Sequence, residues 1–438
     1  MKILVTGLTT LHWGRMEFGN AGNYYISAPF FREIYKVFPK AEIATTLQFS
    51  DEFCRANKLR LLPLESYYAW RGAGKDLDDA LKEYAIASIY QSTGSLPGDS
   101  IFIKEVLNSD LVLFFHGDMW GDNADANGEN RFFVDILKTR TAQLLGKKTV
   151  MIASSPGPVT SPKTLGLARI VYENLTAAIN RESYSKKIME GNGFDVSKTY
   201  SYACPAFLFS KEHYPEPVNV ENLYADAGIS LTDDRKNIGV IPATYSVQGG
   251  SFDQWNWDEK DFESFVELVE YIINEKNDNV ILIPHAYGFE VNPDFKRIHW
   301  RDYKMLCQIY DLLRKRGKID MQRLFRLDLI LYPWESHAFL GKLDMLVSGR
   351  VHGSVGALSQ RVPTLAISYK SGPLAHKMTA FFELVGMACH VVPRNEASFI
   401  RYFEDVYGNL ADIKDELERN LPSAKNKAVE AFSFLKRL

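Results

Sequence analysis

Short apolar runs rich in β-branched residues alternate with helix-length segments along this whole chain. That alternation constrains the fold more than any other feature. One set of runs covers residues 3–5, 42–46, 111–115, 149–153, 177–180 and 199–203; a second covers 238–242, 280–284, 324–329, 345–348, 365–368 and 389–392. A continuous run such as Leu-Val-Leu-Phe-Phe at 111–115 has no polar face, so it suits a strand covered on both sides, as in a parallel sheet. The intervening segments carry helical spacing. Over 261–275, Phe262, Phe265, Val266, Val269, Ile272 and Ile273 share one face. Strand–helix alternation repeated twice over predicts an α/β protein of two Rossmann-like, doubly wound domains facing a cleft.

Length agrees. At roughly 100–200 residues per domain, 438 residues imply two domains rather than one core. The stretch 210–237 holds Pro215, Pro217 and the acidic pair Asp233–Asp234 with little hydrophobic periodicity, so the boundary is predicted there. The expected division is 1–225, 226–408, and a C-terminal tail 409–438 of two amphipathic helices broken at Pro422. Ligands of such sheets bind outside the carboxyl ends of the strands, so those ends are where chemistry is sought.

The chain is 46% hydrophobic and 24% charged, a globular composition. Lys and Arg number 51 against 54 Asp and Glu, a net charge of −3, which argues against a dedicated nucleic-acid binder. Cys54, Cys204, Cys307 and Cys389 are scattered without a Cys-x-x-Cys pair and read as reduced thiols. The first apolar run is too short for a signal segment, and no window approaches the roughly 18 apolar residues of a membrane span. A cytoplasmic protein is expected, without an integral membrane segment and compatible with peripheral association.

The most informative local signal is the segment Leu343-Asp-Met-Leu-Val-Ser-Gly-Arg350-Val-His352-Gly353-Ser354. An apolar strand ends at Ser348 and a helix is predicted to start near Gly353. Arg350 and His352 would then alternate in an extended stretch and point the same way. Gly353 would let backbone approach a ligand, and the next helix's N–H groups favour an anion there. A buried strand end with a structural Arg and His is the plainer alternative, but Arg, His and Gly together favour a site. Lys370 leaves the following strand, ahead of Ser371-Gly372-Pro373; an exposed lysine is an equal alternative there.

Several other features carry less. Asn123, Asp125, Asn127 and Gly128 echo a calcium loop, but its twelfth position is Val134 rather than Glu, so calcium is rejected. Asp76-Leu77-Asp78 reads as a solvated helix start, where acids are favoured. His12, His116 and His285 lie near strand ends and are expected to be hydrogen-bonded structural histidines. Gly249-Gly250 lacks a Walker pattern. Trp120, Trp255 and Trp257 suit sugar stacking or core packing equally.

These segments resemble the polysaccharide pyruvyl transferase family. The resemblance rests on Asp344 followed by Ser348-Gly349-Arg350-Val351-His352-Gly353, then Arg361-Val362-Pro363 and Tyr369-Lys370, with Arg361 where Gly is usual. Looser matches are Phe18-Gly19-Asn20-Ala21-Gly22-Asn23, Met119-Trp120-Gly121-Asp122, Ser155-Pro156-Gly157-Pro158, Asn180-Arg181-Glu182-Ser183-Tyr184-Ser185 and Cys204-Pro205-Ala206-Phe207. Asn23 and Cys204 stand where the family has acids.

The resemblance implies a two-domain, glycosyltransferase-B-like fold and transfer of pyruvyl from phosphoenolpyruvate to two sugar hydroxyls, forming a ketal in surface-polysaccharide synthesis. The donor-binding candidates are Arg181, Arg350 and Lys370, with Gly353 and Ser354 at the helix start; Arg suits bidentate binding of phosphate or carboxylate. His352, with an ordinary pKa near neutrality, is the candidate for handling the proton or stabilising departing phosphate. Asp122 is the candidate acceptor-side base or hydroxyl ligand, against the alternative of a turn aspartate. No cofactor or metal is expected beyond phosphoenolpyruvate as co-substrate, and the partner is a sugar or lipid-linked saccharide. Two other readings stay open: a nucleotide-sugar glycosyltransferase of the same fold, and a non-catalytic sugar- or anion-binding relative.

Overall fold

Every residue of Leu111–Phe115 is buried, as is every residue of Asn237–Ile241, and each strand lies inside a parallel sheet. In this computed structural model, the described residues are 1–8, 15–231, 234–243, 258–290, 296–368, 376–393 and 396–438. Helix-covered parallel sheets bury both faces, which is why these strands need no alternation of polar and apolar residues.

The first sheet comprises β1 (Lys2–Thr6), β2 (Glu42–Thr45), β3 (Leu59–Leu61), β4 (Leu111–Phe115), β5 (Lys148–Ser154), β6 (Ala177–Asn180) and β7 (Thr199–Ser201). Its order is β3-β2-β1-β4-β5-β6-β7, parallel throughout. The second comprises β8 (Asn237–Ile241), β9 (Asn279–Leu282), β12 (Leu324–Arg326), β13 (Met345–Ser348), β14 (Thr364–Ile367) and β15 (Val391–Val392). Its order, β12-β9-β8-β13-β14-β15, repeats the same winding. Each sheet reverses direction once, at β1/β4 and at β8/β13, and those crevices are where doubly wound sheets take ligands.

The sequence reading did not anticipate β3, or the antiparallel hairpin of β10 (Tyr287–Phe289) and β11 (Arg297–His299). Each is three residues long, too short to show periodicity, and β3 is an edge strand with Arg60 exposed.

The chain divides into two compact units. One contains Met1–Met16, Phe30–Cys204 and Lys427–Leu438; the other contains Glu17–Pro29 and Pro205–Asn426. The division falls at Cys204/Pro205, not at 225/226. Residues 205–225 are not a linker: Val220 and Tyr224 enter the second unit's core, and the Tyr224 ring stacks on Phe339 at 4.1 Å. Glu17–Pro29, early in the chain, also belongs to that second unit. The tail differs too. A single helix, Leu410–Ser433, runs through Pro422. An internal proline costs a helix about 3 kcal/mol, but Ile413, Leu417, Leu421 and Ala424 are buried along this one, and packing of an apolar face outweighs propensity.

Candidate functional site

In the second unit, Arg350 follows the carboxyl end of β13, beside the end of β8. Its backbone is locked by two serines of the same motif. Ser348 Oγ accepts from the Arg350 N–H at 3.1 Å and donates to its carbonyl at 3.0 Å, and Ser354 Oγ donates to that carbonyl at 3.1 Å. The motif's serines therefore shape the turn, and the buried Ser354 hydroxyl donates to the Arg350 carbonyl.

The Arg350 guanidinium forms an ion pair with Asp302, whose side chain is fully buried. The second oxygen of Asp302 accepts from the N–H groups of His285 and Ala286 at 3.1 and 2.9 Å. Three bonds thus hold Asp302 in place, and Asp302 in turn fixes one edge of the planar guanidinium. Five donors in a rigid fork suit a guanidinium to planar, bidentate recognition of oxyanions. Asp302 escaped the sequence reading because an acid in the first turn of a helix, here Arg301–Arg316, is ordinary.

His352 is not in an extended segment. The helix begins at Val351 and runs to Leu358, with Arg350 extended in front of it at φ −111° and ψ 122°. His352 therefore sits in the first helical turn, and the strand-type alternation expected for the two side chains does not apply. Among the described residues no side chain caps this helix start, and the positive end of its dipole lies at Val351 and His352. The His352 ring meets the edge of Phe381 at a centroid distance of 5.9 Å, and Phe381 stacks with Phe207 at 6.5 Å. His352 also lies against Gly22: a methyl group there would come within 2.8 Å of His352 Cγ. Two motifs separated by more than three hundred residues in sequence thus meet inside one unit.

A Cβ on Gly353 would meet Ile241 Cδ1 at 2.9 Å, so the glycine lets the helix lie close to β8. His285 also departs from expectation. Both ring nitrogens are buried without a hydrogen-bond partner among the described residues, and burial pushes its pKa down to about 4. Tyr25 presents to it at 5.8 Å, edge to face. The segment leading to it is anchored by Ala21 N–H to the His285 carbonyl, 3.2 Å, and an Asn20–Ala286 bridge.

In the first unit, Arg181 follows β6 and is buried. Its Nε donates to Ser155 Oγ at 2.9 Å, and its backbone N–H to the Ser154 carbonyl at 3.0 Å. A register shift between Ile152 and Ser154, with Ala153 at φ +52°, brings the Ser155 hydroxyl to it. Left-handed backbone in alanine is strained, and such strain concentrates at sites. Glu182 caps the next helix, Tyr184–Gly191, accepting from the Tyr184 and Ser185 N–H groups at 2.6 and 3.0 Å. That explains the Glu-x-x-Ser spacing.

Asp122 accepts from the Thr160 N–H at 2.7 Å, the Thr160 hydroxyl at 2.6 Å and the Ser161 N–H at 3.5 Å. Its carboxylate fastens the loop before the Pro162–Glu173 helix. Trp120 is core, edge-on to Phe132 at 5.3 Å. Asp76 is not solvated but buried, accepting from Ala69 and Arg71 N–H at 3.2 and 2.9 Å and from Arg71 Nε at 2.7 Å. His116 Nδ1 accepts from the Leu8 N–H at 3.2 Å, and burial drives its pKa down to about 3. Arg350, His352, Gly353 and Ser354 are thus together in the second unit, whereas Arg181 and Asp122 belong to the first. Lys370, His12, Gly249, Gly250, Trp255 and Trp257 lie outside the described residues. Among the described residues no cluster of three His, Cys, Asp or Glu side chains forms a metal-binding group.

The polysaccharide pyruvyl transferase family model matches residues 20–371. The chain belongs to that family. The match begins at Asn20, in the segment that packs against His352. Among curated relatives, the amylovoran biosynthesis protein AmsJ of Erwinia amylovora is 22% identical over 309 residues, 66% of this chain and 66% of that protein, so the match spans just under two thirds of the relative. Among solved structures, the UDP-GlcNAc 2-epimerase of Neisseria meningitidis, bound to UDP-GlcNAc, superposes with a TM-score of 0.55 at 12% identity over 100% of both chains. Anabaena Alr3699/HepE, in complex with UDP and glucose, gives 0.55 at 11% identity, again over 100% of both. At these identities the likeness is one of fold. This family member has the two Rossmann-like domains of a glycosyltransferase-B-like protein.

Proposed function

We propose that this protein transfers a pyruvyl unit from phosphoenolpyruvate to two hydroxyls of a saccharide in polysaccharide biosynthesis, forming a cyclic ketal and releasing phosphate. The observation that carries this reading is Arg350, braced by buried Asp302 at the β8/β13 switch point and followed by a helix start that includes His352. That arrangement suits a small donor that carries a phosphate and a carboxylate.

The chemistry requires one proton at the methylene carbon of the donor and attack of an acceptor hydroxyl on the neighbouring carbon. A second hydroxyl then displaces phosphate from that carbon, breaking its C–O bond. Of the two hydroxyl protons lost, one balances the proton gained by the methylene, and the other leaves with phosphate or to solvent. In this reading His352 handles the proton and Arg350 holds an anionic group of the donor, with Arg181 and Lys370 as further donor-side candidates and Asp122 as the acceptor-side candidate. No metal or organic cofactor takes part.

The test is direct. The purified protein, given phosphoenolpyruvate and a panel of lipid-linked and free saccharides, should release inorganic phosphate and add one pyruvyl mass to an acceptor. The fold's likeness to proteins bound to UDP or UDP-GlcNAc favours a second reading, a nucleotide-sugar enzyme. A thermal-shift comparison separates the two: stabilisation by UDP-sugars and none by phosphoenolpyruvate would replace the first with the second. Donor binding with no phosphate release across the panel would indicate a non-catalytic relative.

A further inference from the structure

The first unit contains a buried cation that none of the roles above uses. Arg131 opens the helix Arg131–Leu144 and is 1% exposed, yet its Nε and Nη1 have no hydrogen-bond partner among the described residues. Buried guanidinium donors left unmade are expensive, so such a group in a native fold calls for a partner. Its guanidinium carbon lies 5.0 Å from the Trp70 ring centroid and 5.8 Å from that of Tyr68.

Arg131 lines a recess with Gly7 and Leu8 at the end of β1, Thr46 and Gln48 after β2, and Trp70. These are carboxyl ends of strands, where this class of sheet takes ligands. The recess is built rather than incidental. Asp76 clamps residues 69–71 through three hydrogen bonds and holds Trp70 at φ +53°. A bulky residue is seldom found in the left-handed region. On the other side, Gly128 leaves room for Tyr68, whose hydroxyl a Cβ at 128 would meet at 2.5 Å.

Size and charge select the ligand. The interior space is about 20 Å³, which admits roughly one small polar group and no sugar ring. The nearest fully buried acid is Asp135, which receives the Tyr67 hydroxyl and stands 3.6 Å from His116. Burial lifts the Asp135 pKa to about 7, so it offsets the Arg131 charge only in part, while Arg131 itself, near 10, stays protonated. Asp118 and Asp125 are nearby but reach solvent. A planar carboxylate matches a guanidinium edge and is smaller than a phosphate. Half-buried Trp70 at the mouth offers an apolar face to a ring that stays outside.

We propose that the recess beneath Trp70 binds the carboxylate of an acidic sugar on Arg131, so that the acceptor saccharide presents a uronosyl residue to the first unit. Only the word acceptor rests on the pyruvyl-transfer reading; the binding itself does not.

The experiment is equilibrium binding to the full-length protein without phosphoenolpyruvate, using D-glucuronate, D-galacturonate, D-glucose, acetate and inorganic phosphate at constant ionic strength. At least one uronate is expected to bind about ten- to a hundredfold more tightly than glucose, the size of a charge-assisted hydrogen bond, and more tightly than acetate or phosphate. Arg131→Met should abolish the discrimination between uronate and glucose. If Arg131→Met shows no cooperative melt, Leu64→Trp takes its place: Leu64 is half-exposed on the recess wall, and the larger ring should fill the mouth and reduce uronate binding to the glucose level. Uronates that bind no better than glucose, acetate or phosphate that bind as well as the uronates, or discrimination that survives in the folded variant would each overturn the proposal. Uronate selectivity with no pyruvyl transfer to any saccharide would leave it standing and sink the functional reading instead.

Discussion

Gly22 and His352 lie against each other with no space for a side chain between them. A glycine at 22 is therefore part of what sets the imidazole, a contact that the motif around residue 22 does not reveal in sequence. Gly22→Ala must push the ring or the Ala21–Val37 helix start aside. Overpacking of this kind costs about 1–3 kcal/mol. The expected outcome is a lowered melting temperature and a kcat reduced about tenfold or more, with phosphoenolpyruvate affinity changed less. Unaltered turnover would show that the His352 position is not critical.

His352→Ala should cost catalysis more than donor binding. General acid–base groups contribute about 10²–10⁴-fold, so kcat should fall within that range while circular dichroism and the melting curve stay close to wild type. His352→Gln keeps hydrogen bonding without proton transfer. Near-full turnover in that variant would restrict His352 to positioning phosphate.

The Asp302–Arg350 pair predicts an asymmetry. Asp302→Asn removes a buried counter-charge of the Arg350 guanidinium, and breaking a buried pair costs about 3–5 kcal/mol. Stability and phosphoenolpyruvate affinity should both drop. Arg350→Lys keeps the charge but loses the fork, and should weaken donor binding about ten- to a hundredfold with a smaller loss of stability. Wild-type binding of phosphoenolpyruvate by Arg350→Ala would remove that residue from the donor site.

Acid should destabilise the fold through its buried histidines. Burial holds His116 and His337 at about 3 and His285 at about 4, below the ordinary histidine value near 6.5. The unfolded chain therefore binds more protons than the native one between those limits, and stability falls as pH drops below about 6.5. Each histidine contributes a slope of up to about 1.4 kcal/mol per pH unit. His337, bonded to Tyr214 at 2.7 Å and Ser359 at 3.3 Å, gives the cleanest test. Urea denaturation of His337→Gln at pH 7.5 and 5.5 should show a shallower pH dependence than wild type; an equal or steeper one contradicts the assignment.

Turnover should survive chelation. In the pyruvyl-transfer reading, Arg350 and His352 bring the positive charge that a metal would otherwise supply. Activity that collapses in EDTA and returns with Mg²⁺ would contradict this and favour the nucleotide-sugar reading.

How much of this was legible beforehand follows from the range of the forces involved. The two parallel sheets were readable because burial on both faces forces continuous apolar runs, a local pattern of four to six residues that survives in sequence. The Ser-x-Arg-x-His-Gly segment was readable for a similar reason: a turn, a helix start and a charged side chain are all encoded within a few positions. Elements such as β3 and β10 were too short to show a period, and the path of the helix through Pro422 depended on burial along its length.

The partners of the site residues belong to another category. Asp302 beside Arg350, Gly22 beside His352, Ser155 beside Arg181 and Trp70 over Arg131 are each separated by tens to hundreds of residues. Whether a buried charge is paired, and whether a glycine makes room for a ligand or for a neighbouring side chain, depends on which atoms the fold brings within a few ångströms. Local propensity carries no record of that. Strand and helix formation are local choices summed along the chain, whereas desolvation and close packing act between residues that only the folded backbone makes neighbours.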